Sequence, residues 1–433
     1  MTLSRVTTSG TATAPPQQSL VHHHDFRRLW AGDAVSALGV QLVGLALPIM
    51  AVRLLGADEF QMGLLGTFEF LAFLVVGLPA GAWVDRWRKK RVIMVGDLVR
   101  AAFLLSLPAA WMLDSLTMTQ VYVVALVVGT ATVFFDVAHQ SYLPEIVPAT
   151  QIGEGNAKLM AMQQTASIAG PALGATLIRL VGAPFTIAAT AVSMAASVLF
   201  VWRIRHAEEA PAVEDRRPLR TEIWEGLSFV LHQTLLRRIV TCTALSNFFA
   251  SIASVLLVLF VIRDLGLNEA TLGLVLSVGA VGGLVGALTV TRISKVLGEG
   301  RTIPAMALLT APFAALTPLA TQLPPVPALA IGSFGVAYGA VGYNVIQVSF
   351  RQRLCPRHLL GRMNASIRFI VWGLMPIGAF IGGVLGETIG VVPTLWLAAG
   401  GFLLAGLTVL FSPLSRMRDL PRELDVLSDT TTG

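Results

Sequence analysis

Long apolar segments alternate with short polar breaks along most of the chain. After Trp30, each apolar segment runs for about the 20 residues that an α-helix needs to cross a bilayer, and the breaks contain charged residues, Gly or Pro. The pattern predicts twelve membrane-spanning helices, near residues 30–52, 61–83, 92–113, 119–142, 157–181, 184–203, 239–262, 270–292, 302–321, 326–349, 365–387 and 391–412. We therefore expect an all-α membrane protein.

The composition argues against several other classes of protein. Charged residues make up 13% of the 433 residues and apolar residues 55%, and the mean hydropathy is +0.72. A soluble domain of this size carries roughly twice that share of charge, whereas a chain surrounded by lipid needs little. The low charge disfavours a soluble, disordered or nucleic-acid-binding protein, and the presence of only two cysteines excludes a disulfide scaffold.

Positive charge is distributed unevenly between the breaks. Nearly all of the 31 Lys and Arg residues fall in alternate breaks, and the remaining breaks hold only Arg53, Arg179 and Arg263. Loops rich in Lys and Arg stay in the cytoplasm, so this distribution predicts that both termini are cytoplasmic. The net charge of +6 then reflects orientation in the membrane and does not indicate a nucleic-acid partner.

An internal repeat divides the chain into two halves. A shift of 210 residues aligns Arg53 with Arg263, and a shift of 208 aligns Gly174 with Gly382. The one long break separates the halves and contains an amphipathic stretch with apolar residues at helical spacing. The expected organisation is a disordered cytoplasmic tail (1–25), a six-helix bundle (26–203), a cytoplasmic linker with an amphipathic helix (204–237), a second six-helix bundle (238–412) and a second cytoplasmic tail (413–433).

The break after the second predicted helix carries a motif, which reads GAWVDRWRKKR at 81–91. It resembles the G-x-x-x-D-R-x-G-R/K-R/K signature of the major facilitator superfamily, although Arg88 replaces the second Gly. Together with FRRLW at 26–30 and DLVR at 97–100, it is similar to the drug-antiporter subgroup that contains macrolide efflux proteins and the enterobactin exporter. The resemblance covers most of residues 26–412. It implies two parallel six-helix repeats with a substrate site between them, in a bacterial inner membrane.

Ionisable side chains within a span are costly, so we interpret them as functional. Asp97 and Arg100 are three residues apart on the third predicted helix, where they can pair on one face. We expect a charge network that opens and closes an inner gate; the gate and motif residues are Gly81, Asp85, Arg86, Lys89, Lys90, Asp97, Arg100 and Asp136. The alternatives are a static structural network and, for the basic cluster, an anchor to lipid headgroups.

Glu69 lies deep in the second predicted helix, and no basic residue of a span lies at its depth. A carboxyl group without a cation in an apolar site is costly to keep charged, so it can take up and release a proton during a transport cycle. We assign proton coupling to Glu69 and to Asp33, which lies just inside the first predicted helix. Access to water or a hydrogen bond from another helix would instead make Glu69 a structural residue.

Uncharged polar and aromatic residues within the spans are candidates for a substrate cavity. Such side chains suit bulky, partly apolar ligands, although each of them alone also fits ordinary helix packing. The candidates are Gln41, Phe68, Gln163, Asn247, Phe248, Tyr343, Asn344, Gln347 and Trp372.

The fifth predicted helix contains a glycine-proline segment formed by Gly170, Pro171 and Gly174. It resembles a motif of antiporters in the superfamily. Small residues also let two helices approach closely, so a plain packing interface is the alternative.

The sequence contains no nucleotide-binding loop, no hydrolase motif and no His/Cys cluster at metal spacing. We therefore expect no enzyme activity, no cofactor and no metal site. The resemblance implies a monomeric secondary transporter in the lipid bilayer that exports a bulky amphipathic drug or siderophore-like compound in exchange for protons. The alternatives are an importer or facilitator of the same fold and, from another class, a non-transporting receptor or secretion-accessory protein.

Overall fold

The computed structural model describes residues 20–84, 86–206, 208, 219–355 and 360–418, and within these ranges the chain is largely helical. The helices are α1 (His24–Leu55), α2 (Glu59–Val75), α3 (Gly77–Val84), α4 (Lys89–Met112), α5 (Met118–Ile146), α6 (Ile152–Val181), α7 (Ala183–Trp202), α8 (Leu219–His232), α9 (Thr234–Leu259), α10 (Glu269–Leu297), α11 (Glu299–Leu319), α12 (Pro325–Leu354), α13 (Leu360–Ile389) and α14 (Val391–Leu410). Ten helices of the described chain are long and apolar enough to cross a membrane.

Two of the predicted spans are not among those ten. The second predicted span is divided into α2 and α3 by a break at Val76, and α2 has only 17 residues. The fifth predicted span lies in α6, which has 30 residues but carries polar side chains such as Gln163, Gln164 and Ser167 along its middle. These two helices are shorter or more polar than an isolated span requires.

Helices of the same half pack closely on one another. In the first half α1 packs on α6 and α7, while α4 packs on α5 and α7. In the second half α12 packs on α10 and α11, while α9 packs on α13 and α14. The halves meet along two seams, one between α2 and α13 and the other between α6 and α10.

Glycines allow the backbones to approach closely at both seams. A Cβ added to Gly63 on α2 would lie 2.5 Å from Cα of Gly383 on α13. A Cβ added to Gly273 on α10 would lie 2.5 Å from Cβ of Ala175 and 2.7 Å from the carbonyl oxygen of Pro171, both on α6. These distances are shorter than a van der Waals contact, so each seam depends on the missing side chain.

The repeat seen in the sequence is also present in the backbone. Gly56 and Gly266 end α1 and the turn after α9 with φ of 63° and 64°. Gly182 and Gly390 precede α7 and α14 with φ of 86° and 92°. Only glycine adopts these left-handed conformations without strain, so the same turn chemistry occurs at equivalent points of the two halves.

Candidate functional site

A cavity of about 580 Å³ lies between the two halves. The first half contributes residues of α2, α3 and α5, and the second half contributes residues of α9, α12 and α13. Its polar and charged lining residues include Asp136, Gln140, Ser141, Thr243, Asn344, Gln347, Arg351, Gln352, Asn364 and Arg368. The cavity lies toward the end of the molecule where α5 and α12 finish and α13 begins, which we call the open end.

The opposite end of the molecule, which we call the closed end, is joined by two ion pairs between the halves. Arg53 Nε lies 2.8 Å from Glu269 Oε1, and Arg263 pairs with Glu59. The side chains are partly exposed, so each pair contributes little by itself. Together with the two glycine seams, they hold the halves in contact at this end.

The cavity wall of the first half is shaped by the break between α2 and α3. Gly77 and Gly81 on α3 line the cavity without side chains that would fill it. Phe73 on α2 reaches the second half, where its ring packs edge-on against Trp372 with the ring centroids 4.7 Å apart. An aromatic surface therefore crosses from one half to the other at the wall of the cavity.

The second half contributes two arginines that the sequence pattern does not single out. Arg368 donates a hydrogen bond to Oε1 of Gln140 at 3.3 Å, and its guanidinium lies 5.2 Å from the centre of the Trp372 ring. Arg351 is buried in the last turn of α12. The distribution of charge along the sequence assigns both to a basic cytoplasmic segment. Their positions relative to the predicted cavity residues are a signal that could have identified them. Arg351 lies four residues after Gln347 and Arg368 lies four residues before Trp372, so each is one helical turn from a predicted cavity residue.

Three of the predicted cavity residues line the cavity, namely Asn344, Gln347 and Trp372. Tyr343 lies behind the wall instead, where its hydroxyl group is 2.9 Å from Thr243 Oγ1 and donates to the carbonyl oxygen of Ile239 at 3.0 Å. Its neighbours on α12 face the cavity because successive residues of a helix point about 100° apart.

The remaining predicted cavity residues are not among those that line this cavity. Phe68 packs against Tyr122 within the core of the closed end. Asn247 donates its amide to the carbonyl oxygen of Thr243, and Phe248 packs edge-on against Phe249. Helix packing, the alternative for each of these residues, accounts for these positions.

Gln41 and Gln163 belong to the contact between α1 and α6. Gln41 donates a hydrogen bond to Ser167 Oγ at 3.3 Å, and its Cβ lies 2.4 Å from where a Cβ of Gly170 would be. Gln163 is exposed, and its backbone carbonyl accepts the hydroxyl of Ser167. Gly174 faces α1 in the same way as Gly170, and Pro171 lies between them inside α6. The glycine-proline segment therefore packs α6 on α1, and its proline carbonyl faces the seam with α10.

A cluster of buried charged and aromatic side chains lies within the first half beside the cavity. Asp97 and Arg100 form an ion pair on α4, and both are almost completely buried. The Arg100 guanidinium lies 4.2 Å from the centre of the Phe135 ring, which stacks on His139 at 5.6 Å. His139 Nε2 lies 3.2 Å from Asp33 Oδ1. Three helices, α1, α4 and α5, are thus joined through one stack of side chains.

Asp136 is next to this stack but faces the cavity. Arg100, His139 and Arg368 are the basic groups that act on it electrostatically. Since Arg368 belongs to the second half, Asp136 is where the buried cluster of the first half meets the basic wall of the second half.

The motif after the second predicted span takes part in contacts within the first half. Lys89 pairs with Glu145 at the end of α5, and Lys90 Nζ donates to the carbonyl oxygens of Trp202 and Ile204 at 3.1 and 2.6 Å. Arg86 is exposed, and Gly81 lines the cavity. Asp85 lies outside the described residues.

Glu69 lies away from the main cavity. It lines a small space of about 40 Å³ together with apolar residues of α1, α4 and α5, among them Leu47, Leu104 and Val128, and it is also partly exposed. Among the described residues, none donates a hydrogen bond to its carboxyl group or forms an ion pair with it.

Comparison with known proteins identifies a matching family and several proteins that are similar to this chain. The family model described as Major Facilitator Superfamily matches residues 29–377 and, in a second match, 239–425. Multidrug efflux pump Tap of Mycolicibacterium fortuitum is 28% identical over 369 residues, which cover 81% of this chain and 86% of that protein. Tap of Mycobacterium tuberculosis (strain ATCC 25618 / H37Rv) is 28% identical over 92% of this chain and 93% of its own length. Macrolide efflux protein A of Streptococcus pyogenes is 27% identical over 35% of this chain and 37% of its own length.

Solved structures share the fold at low sequence identity. A bacterial homologue of the iron transporter ferroportin in its inward-facing state superposes with a TM-score of 0.73, at 17% identity over 92% of this chain and all of that chain. A mutant of the nucleoside transporter NupG superposes with a TM-score of 0.71, at 15% identity over 90% of this chain and all of that chain. At these identities the likeness concerns the arrangement of helices alone.

Proposed function

The chain belongs to the major facilitator superfamily, and from this premise we propose that it is a secondary active efflux transporter. It exports a bulky amphipathic drug or siderophore-like compound in exchange for protons, by alternating access. The observation that carries the proposal is the cavity between the halves, which is sealed at one end by seams and ion pairs and lies toward the other. Relatives named as efflux pumps along most of the chain support the direction of transport.

The proposed topology has twelve spans with both termini in the cytoplasm of a bacterium, in its inner membrane. Ten of the twelve spans are the long apolar helices, and the α2–α3 pair and α6 are the other two. In the repeat, the α2–α3 pair corresponds to α10 and α6 corresponds to α13, and both of these counterparts are long apolar helices. The open end carries most of the basic residues and therefore faces the cytoplasm. Residues 26–203 and 238–412 then form two six-helix bundles that move against each other.

Alternating access requires the closed end to separate while the open end closes. The ion pairs Arg53–Glu269 and Arg263–Glu59 are the contacts that break first, since they are exposed and cost little to separate. Closure of the open end brings Asp136 and Gln140 of the first half closer to the arginines of the second half. Asp85 and Arg86 of the motif act in that state as a latch between the halves.

Substrate binds between the aromatic surface of Phe73 and Trp372 and the polar wall of α12. Aromatic rings and amides accommodate ligands of varied shape. This combination suits compounds with a large apolar body and a few polar groups.

Proton coupling is assigned to Glu69 together with the Asp33–His139 pair. Glu69 has an apolar environment and no cation, so it exchanges a proton more readily than it holds a fixed charge. Asp33 and His139 are linked to Asp136 and hence to the cavity through α5. Movement of the halves alters both environments and thereby ties proton binding to conformation.

The test uses everted membrane vesicles that contain the wild-type protein or a variant, with and without an imposed pH gradient. We expect gradient-driven uptake of a substrate found by a susceptibility screen, and we expect Glu69→Gln to lower the gradient-driven rate at least about tenfold while passive exchange continues. Glu387→Gln is the matched control, because it removes the same charge at the end of α13, outside the small space that Glu69 lines. Uptake that ignores the gradient in the wild type contradicts proton antiport, and uptake into right-side-out vesicles identifies an importer.

A further inference from the structure

One basic side chain in the cavity wall has no acidic partner. Arg351 is only 9% exposed, yet it lines the cavity. Within the described chain its guanidinium has no hydrogen bond or ion pair, and its Nε is fully enclosed. A buried guanidinium is costly to leave unpaired. A ligand that supplies an acceptor there is therefore bound more tightly than one that does not.

The neighbours of Arg351 do not neutralise it. Gln347, one turn earlier on α12, donates its amide to Asn344 Oδ1 at 2.9 Å, and its own Oε1 is buried without a donor. The hydroxyl of Tyr343 is already engaged with Thr243 and the backbone of α9. This part of the wall offers one positive charge and amide groups, and none of its described side chains is a carboxylate.

Arg368 differs from Arg351 in having partners. It donates to Gln140, lies over the ring of Trp372, and is acted on by Asp136. Asp136 is also the one acid among the described lining residues. The two arginines and this aspartate leave the wall with an excess of one positive charge, and Arg351 is the arginine whose guanidinium has no partner among the described residues.

We propose that Arg351 binds an anionic group of the transported compound. The guanidinium presents a planar set of donors that fits a carboxylate or phosphate with two parallel hydrogen bonds. The apolar body of the same ligand then lies against Phe73 and Trp372, and a donor beside its anionic group meets Oε1 of Gln347. The substrates selected in this way are acidic or zwitterionic amphiphiles, a class narrower than the one named above. This inference rests on the proposed transport function.

The experiment compares two probes that differ in one group. The probes are 1-pyrenebutyrate and 1-pyrenebutanol, which share their ring system and chain. Binding to the purified full-length protein in phosphatidylcholine nanodiscs is measured by equilibrium dialysis, with empty nanodiscs as the blank. We expect the wild type to bind the carboxylate about tenfold or more tightly than the alcohol, as a hydrogen bond to a charged group allows.

Variants of two arginines on the same helix turn locate the effect. Arg351→Gln is expected to bind both probes equally, with the affinity for the alcohol unchanged, and Arg351→Lys is expected to keep part of the preference because it keeps the charge. Arg353→Gln is the matched control. It removes the same charge two residues away, from a side chain that pairs with Glu299 outside the cavity. Unchanged binding of the alcohol shows that each variant is folded.

The inference is overturned by equal affinities in the wild type, by a preference that persists in Arg351→Gln, or by the absence of binding of either probe. Nanodiscs that also contain phosphatidylglycerol distinguish two sources of the anion. If phosphatidylglycerol competes with the carboxylate probe in the wild type but not in Arg351→Gln, a lipid headgroup uses the same guanidinium. If it does not compete with the probe, the site is assigned to soluble amphiphiles. A wild type that binds both probes equally but still shows gradient-driven export overturns the inference alone. Absence of any gradient-driven export overturns the transport function.

Discussion

The contacts at the closed end of the molecule follow the internal repeat, whereas the residues at the open end depart from it. At the closed end, equivalent residues of the two halves make equivalent contacts. Arg53 pairs with Glu269 and Arg263 pairs with Glu59, and a shift of 210 residues converts each pair into the other. The two seams are related in the same way, since one joins α2 to α13 and the other joins their counterparts, α10 and α6.

At the open end the repeat is broken. The shift of 208 places Asn344 at the position of Asp136, and it places Arg351 where the first half has Leu143. The buried ion pair of α4 also lacks a counterpart, because the shift of 210 places Ala307 and Thr310 at its two positions. The charged residues that give the cavity its chemistry thus lie where the halves have diverged.

The difference shows how constraints are divided in this fold. Two halves that separate and rejoin need complementary surfaces. In a two-fold arrangement, the same set of residues in each half forms two equivalent contacts with the other half. A cavity that binds an asymmetric ligand has no such requirement. We therefore expect changes at the closed end to act in equivalent pairs, and changes at the open end to act individually.

The largest expected effect comes from the buried pair on α4. Arg100→Gln leaves Asp97 buried without its partner and is expected to lower the free energy of unfolding by about 3–5 kcal/mol. The double variant Asp97→Asn/Arg100→Gln removes the unpaired charge and is expected to recover much of that loss. Thr310→Ala in the second half removes only one hydroxyl hydrogen bond, at a cost of about 1 kcal/mol.

Thermal unfolding of the purified protein in detergent, followed by fluorescence, ranks the four proteins. A double variant that is no more stable than Arg100→Gln would contradict the importance of the unpaired charge. Equal losses for Arg100→Gln and Thr310→Ala would remove the contrast between the halves.

The next effect concerns the glycine seams. Gly63→Ala places a methyl group against the backbone of Gly383, which has no side chain that could move away, and is expected to disfavour the closed seam by about 1–3 kcal/mol. Gly273→Ala, its equivalent, is expected to do the same at the second seam. Gly400→Ala is the control, because nothing lies within 4 Å of the added Cβ.

Spin labels at cysteines introduced at Ser115 and Gln322 report on the closed end. These exposed residues lie in the turns after α4 and α11, one in each half. We expect longer distances between the labels in both seam variants and no change in Gly400→Ala. A longer distance in only one of the seam variants would contradict the equivalence of the seams. The native cysteines, Cys242 and Cys355, are buried and do not compete for the label.

The smallest effect is expected from the ion pairs at the closed end. Arg53→Gln and Arg263→Gln are each expected to cost about 0.2–1 kcal/mol, because all four side chains are partly exposed. The combined variant is expected to show the sum of the two effects in the same distance measurement, since the pairs do not share a residue. Exchange of the charges within one pair, in Arg53→Glu/Glu269→Arg, should restore the wild-type distance. An exchange that fails to do so would mean that the pair is not a direct contact.

The regular parts of the fold follow closely from the hydrophobic pattern. Each predicted span overlaps a helix or, in the case of α2 and α3, a pair of helices, and no span extends more than three residues past the end of its helix. The amphipathic stretch of the linker contains α8. Apolar runs and turn glycines act locally, so they can be read without knowledge of tertiary structure. The break at Val76 also has a local signal, because Gly77 follows it and Pro79 lacks the N–H that would donate to the carbonyl oxygen of Val75.

The site can be predicted less completely. The pairing of Asp97 with Arg100 is expected because both lie on one helix at a spacing that brings them together. The pairs at the closed end join residues 216 and 204 positions apart, which the sequence alone does not bring together. The sequence assigns Arg351 and Arg368 to a cytoplasmic segment because a basic residue near the end of a span has the same signature whether it faces water or a cavity.

The reciprocal ion pairs at the closed end also make the conformational equilibrium dependent on dissolved salt. Exposed charges interact less as ionic strength rises, since the screening length falls from about 30 Å at 0.01 M to about 3 Å at 1 M. Dilute solution therefore favours the conformation described here, and concentrated salt weakens two equivalent contacts at once. Under the proposed alternating access, the ionic strength of the medium at that end thus becomes a variable that sets the balance between the two conformations.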